Sequence, residues 1–130
     1  MPPMKMTHAV DPKIDIFESV GDVNKFELFN NQLLVAIYIR PQRTASGIFL
    51  TDNTVDEDKF QGKVGLVVKL GPDAFEDETG KWFKDTKINI GDWVVFRPSD
   101  GWAISVNGKS CRILDDVSVR GRIQEPDMVW

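Results

Sequence analysis

The amino-acid sequence predicts an all-β domain, a small barrel or sandwich of about six short strands. Alternating apolar runs recur from Leu33 to Ile123, turns rich in Gly, Asn and Asp separate them, and no long amphipathic helical period interrupts them.

The first run, LLVAIYIRP, places Leu33, Val35, Ile37 and Ile39 on one face and Leu34, Ala36 and Tyr38 on the other, so this strand is expected to be buried on both faces. Pro41 ends it, since proline cannot donate to a ladder. GKVGLVVKLG, from Gly62 to Gly71, alternates Val64, Leu66, Val68 and Leu70, and Gly65 marks a bulge or a close crossing. Residues 72–87, PDAFEDETGKWFKDTK, are acidic and turn-forming but carry Phe75, Trp82 and Phe83, which fits a hairpin tip or excursion loop. INIGDWVVF, from Ile88 to Phe96, predicts a third strand entered through Gly91 and Asp92. After a turn at Ser99, Asp100 and Gly101, WAISV and KSCRIL flank Asn107-Gly108, the pairing that a type I′ hairpin turn requires. Asp115 and Asp116 then break the chain before a last strand, VSVRGRI, alternating Val117, Val119, Gly121 and Ile123.

Two regions stand outside this pattern. Residues 1–25 show no sustained period beyond an apolar patch at Ile14, Ile16, Phe17 and Val20, and are expected to be an extension, loosely ordered or docked on the domain edge. RTASGIFLTDNTVDEDKF sets Ile48, Phe49 and Leu50 among small, polar and acidic residues that cannot bury them. The trio either begins a further strand or is held out on a loop for another protein to cover.

Composition excludes several functions. Sixteen Lys and Arg against 20 Asp and Glu give a net charge of -4, a field that repels nucleic acid and anionic membrane. With no apolar run of membrane-spanning length and no signal-peptide core in MPPMKMTHAV, a cytoplasmic protein is expected. One Cys, Cys111, and one His, His8, cannot supply a zinc site or a convincing nucleophile pair, so a buried Cys111 and a surface His8 are expected. The spaced glycines of GKVGLVVKLG lack a GK[ST] ending and a following helix, so no phosphate loop is present. The acidic runs Asp56 to Asp58 and Asp73 to Glu78 read as solvated surface. Arg120 and Arg122, two apart, are expected to pair with acidic groups of the same or a neighbouring subunit, and Trp93 and Trp102 to fill a core. No cofactor, metal or catalytic constellation is expected, and the protein is not expected to be an enzyme.

In order, FNNQLLVAI, TASGIFLT, GKVGLVVKLGP, INIGDWVVF and VNGKSCRILDDVSVRGRI resemble the co-chaperonin family, GroES type, with a closer likeness to phage-encoded members in LVAIYIRPQRT, GKVGLVVKLGPDAF and GDWVVFRP. The resemblance covers residues 26–123, leaving 1–25 as extension and 124–130 as tail. The chain departs from the family in having Asn31 and Gln32 where an Asp-Arg pair is usual, and a bulky Phe49 in mid-tripeptide. The resemblance implies a small GroES-like β-barrel whose subunits form a heptameric, dome-shaped ring that caps an ATP-driven, GroEL-type chaperonin to assist protein folding. A mobile loop carrying Gly47, Ile48, Phe49 and Leu50 would dock in a groove of the chaperonin, and the acidic segment from Pro72 to Lys84 would fall where the family has the hairpin that roofs the dome. An alternative is a virion structural or decoration module built on the same barrel.

Overall fold

In the computed structural model, residues 11–39, 63–76, 83 and 88–128 are described. They form a helix α1 (Pro12–Val20), strands β1 (Gln32–Ile37), β2 (Val64–Leu70), β3 (Trp93–Val95), β4 (Trp102–Val106), β5 (Lys109–Asp115) and β6 (Gly121–Ile123), and single 3-10 turns at Asp116–Ser118 and Pro126–Met128. The strands make one six-stranded sheet in the order β4-β5-β1-β2-β3-β6, with every pairing antiparallel. The all-β class expected from the alternating runs is the one observed.

The core has two parts because the central strand β1 is buried on both faces. Leu34, Ala36 and Tyr38 join Val64, Leu66, Val68, Trp93 and Cys111 in one cluster, while Leu33, Val35 and Ile37 join Val67, Val94, Phe96 and Leu114 in the other. The sheet curls around the second cluster. Arg112 of β5 lies 5.7 Å from the ring centroid of Phe96, just past β3, although β1 and β2 lie between those strands. In a flat sheet three strand spacings would separate them by roughly 14 Å.

Strand β2 carries a bulge whose effect runs through the molecule. Leu34 pairs with Lys69 but Val35 pairs with Val67, so Val68 is the extra residue. The bulge falls there and not at Gly65, which serves the close crossing instead: a Cβ on Gly65 would stand 3.1 Å from the carbonyl oxygen of Ala36 and 3.2 Å from the Val35 Cβ. Because side chains alternate with period two, the extra residue reverses the faces beyond it. Leu70, expected beside Val64, Leu66 and Val68, packs on the opposite cluster, and Lys69 is turned toward the first.

The third and last expected strands are shorter than their apolar runs. Strand β3 begins only at Trp93, since Gly91 takes φ +97° and Asp92 caps the turn by accepting from the backbone N–H of Asn89 at 2.8 Å. Of VSVRGRI only Gly121–Ile123 is strand, because Asp116–Ser118 coils into a 3-10 turn. The hairpin turn is as expected, with Asn107 at φ +51° and Gly108 at φ +81°. Trp93 is buried, but Trp102 is 71% exposed on the edge strand β4, so it does not fill a core.

The apolar patch of the extension is a helix docked on the first cluster. Asp11 caps it by accepting from the Lys13 N–H at 2.8 Å, Pro12 sits in its first turn, and Gly21 ends it at φ +70°. Ile16 and Val20, one turn apart, are buried in the first cluster, while Ile14 and Phe17 remain exposed. Two side chains of the sheet hold the segment that follows: Asn107 donates to the Val20 carbonyl at 2.6 Å, and the Lys69 ammonium donates to the carbonyls of Val23 and Phe26. The tail adds to the same side, with Tyr38 donating its hydroxyl hydrogen to Asp127 at 2.5 Å.

Candidate functional site

The sequence-predicted binding residues Gly47, Ile48, Phe49 and Leu50 lie within residues 40–62, outside the described residues. The geometry of the points where that segment leaves and returns is described. Strands β1 and β2 are antiparallel neighbours, Ile37 stands opposite Gly65, and the Tyr38 N–H donates to the Val64 carbonyl at 2.9 Å. The Lys63 carbonyl in turn accepts from the Phe96 N–H at 2.9 Å. Tyr38 is held by an edge contact to Trp93, with ring centroids 5.5 Å apart, as well as by Asp127. The segment therefore starts and ends on a stem fixed by β1, β2 and β3.

The acidic segment leaves from the other end of the same ladder. Past Leu70, the Gly71 N–H donates to the Gln32 carbonyl at 2.7 Å and the Asp73 N–H to the Asn30 carbonyl at 2.9 Å, tying this end to the residues that open β1. Phe75 then meets Phe83 edge to face, with centroids 5.4 Å apart and planes at 80°. At roughly 3.3 Å per residue, the seven-residue β2 puts about 20 Å between the two departure points.

Two exposed ion pairs and two buried titratable groups lie around these stems. Arg120 lies 3.9 Å from Asp100 and Arg122 lies 3.4 Å from Asp92, all within one subunit and with both arginines about half exposed. Such surface pairs contribute roughly 0 to 1 kcal/mol each. Arg112 is buried at 5% exposure and donates to the carbonyls of Pro98 and Asp100, pinning the β3–β4 connection; burial lowers its pKa and Asp100 opposes that shift. Cys111 is buried, and desolvation pushes its thiol up to about 11 against the opposing pull of Lys109, so the thiol stays protonated at neutral pH. Among the described residues no three His, Cys, Asp or Glu side chains gather as metal ligands would, and no helix is long and apolar enough to cross a membrane.

In this small antiparallel sheet the β1–β2 ladder joins residues 40–62 at one end and leads into the acidic segment at the other. The family model for the chaperonin 10 Kd subunit matches residues 25–123. The co-chaperonin GroES of Rubrobacter xylanophilus is 32% identical over 101 residues, which cover 78% of this chain and 99% of that protein. The co-chaperonin GroES of Pelagibacter ubique is 29% identical over 97 residues, 75% of this chain and 95% of its own, and that of Methylobacillus flagellatus is 32% identical over 83 residues. The chain belongs to the chaperonin 10 Kd subunit family, the GroES co-chaperonins. Helix α1 lies wholly before the matched residues and the Pro126–Met128 turn wholly after them. Sequence reasoning missed the helix, although Asp11-Pro12 and Gly21 frame it and Ile16 and Val20 share its face.

Proposed function

We propose that this protein is a co-chaperonin: its subunits assemble into a ring that caps a GroEL-type chaperonin and docks through Gly47, Ile48, Phe49 and Leu50. The family match over residues 25–123 carries this reading. The opposed departure points support it, since a cap needs its docking segments at one rim and its roof at the other. The ring is taken to have seven members, and the protein to work in the cytoplasm without catalysing a reaction. The named relatives are bacterial, and they lend no support to a phage origin or to a virion module.

The energetics suit a reversible lid. Burying three large apolar side chains contributes roughly 1.5 to 3 kcal/mol each, and fixing the loop costs about 1 to 2 kcal/mol per residue, so one subunit alone binds weakly. A ring adds the missing affinity, because after the first loop docks the others meet their grooves at high effective concentration. Gly47 gives the backbone freedom just before the trio, and Thr44, Ala45 and Ser46 add no bulk.

The residue assignment is tested by Ile48→Asp and Leu50→Asp. Both variants should keep the wild-type assembly state and lose chaperonin-dependent refolding of a stringent client. Wild-type refolding by either variant would place the docking contact elsewhere.

A further inference from the structure

We propose that Asp116 is the positioning residue that pins the chain at Phe75, where it leaves β2 for the acidic segment; the functional meaning of this role rests on reading that segment as the roof of the ring. Asp116 is only 3% exposed, and a carboxylate so buried persists where its oxygens are satisfied. One oxygen accepts from the Asn31 side-chain amide at 2.9 Å and the other from the Phe75 N–H at 3.0 Å, while the Asp116 N–H donates to the Asn31 carbonyl at 3.1 Å. One side chain thus joins the residue before β1, the segment after β2 and the turn after β5.

The pinned residue is the one whose backbone is least free to hold itself. Phe75 has φ +60°, the left-handed region that residues with a bulky side chain seldom adopt and that persists only where the surroundings hold it. With its backbone in that conformation, Phe75 sets its ring edge to face against Phe83. Asp116 therefore fixes the Phe75 backbone, and with it the seat of the Phe75 ring against Phe83. Strands β1, β2 and β5 close their own ladders without the Asp116 side chain, so its role is separable from that of the core.

Amide hydrogen exchange of the full-length protein tests this. The Phe75 amide should be protected in the wild type. In Asp116→Ala, which removes both acceptor oxygens, its exchange should accelerate at least tenfold more than that of ladder amides such as Val35. Asp116→Asn should restore Phe75 protection, because the Asn31 amide can flip to accept while the new side chain keeps an oxygen for Phe75. An unprotected Phe75 amide in the wild type overturns the proposal even if Asp116→Ala fails to fold. Equal acceleration of Phe75 and the ladder overturns it too, since Asp116 would then serve general stability alone. Chaperonin docking is read separately: Asp116→Ala should dock as the wild type does, because residues 40–62 leave from the other end of the ladder. Loss of docking with Phe75 selectively accelerated would keep the positioning role and overturn the roof reading.

Discussion

The Lys69 ammonium lies 2.7 Å from the carbonyl oxygen of Val23, and it reaches there because the bulge at Val68 reverses the faces of the last residues of β2. A second bond to the Phe26 carbonyl makes Lys69 the clasp between the sheet and the segment that follows α1. Charge-assisted hydrogen bonds contribute about 1.5 to 3 kcal/mol in protected sites, and this one is part-buried. Lys69→Met should lower stability by about 1 to 2 kcal/mol in denaturant titration and hasten proteolysis between Gly21 and Phe26.

Helix α1 should be integral to the core although it lies outside the family match. Ile16 is 3% exposed and Val20 1% exposed, both in the cluster that contains Trp93 and Cys111. Ile16→Ala should cost about 2 to 4 kcal/mol, and Phe17→Ala, on the outer face, less than about 1 kcal/mol. Equilibrium unfolding of the two variants checks the difference. Similar values for both would mean the helix is not docked as described.

The Cys111 thiol gives a pH dependence of defined sign. Its pKa is raised from 9.0 to about 11 by burial, so the unfolded chain loses this proton at lower pH than the folded one. The stability associated with it is complete below pH 9 and is lost as pH rises from about 9 toward 11. Wild type should lose about 1 to 2 kcal/mol more than Cys111→Ala across that window, a comparison that cancels the lysines titrating there. A thiol-reactive dye should label Cys111 slowly in the folded protein and at once in denaturant.

The two tryptophans of the β3–β4 region should separate cleanly. Trp93 is buried against Tyr38, and Trp93→Ala should cost about 3 to 5 kcal/mol. Trp102, 71% exposed on the edge strand, should be replaceable by Ala within about 0.5 kcal/mol in the isolated protein. Thermal unfolding of both variants reads this directly.

What was legible in the sequence follows from the range of the forces involved. The double-faced burial of β1 shows in seven consecutive residues from Leu33 to Ile39, and the Asn107-Gly108 turn in two, because alternation and positive φ are local demands. The bulge at Val68 was not legible, since nothing in VVKL marks the extra residue; what fixes it is the pairing with Leu33 and Leu34. Trp102 departs from its expected core position for the same reason: its alternation with Ile104 holds, but only the sheet order makes β4 an edge. In the sequence Asp116 reads as half of an Asp-Asp turn, because its partners at Asn31 and Phe75 are far away along the chain. The proposed docking residues Gly47, Ile48, Phe49 and Leu50 stand out in the sequence because they break the pattern, and they lie outside the described residues.

The most direct test of the co-chaperonin reading is the native mass of the protein alone and with a GroEL-type chaperonin, with and without ATP. The expected result is a ring of seven subunits that joins the chaperonin only when nucleotide is present. A protein that remains separate from the chaperonin in the presence of ATP, whatever its own assembly state, would contradict it.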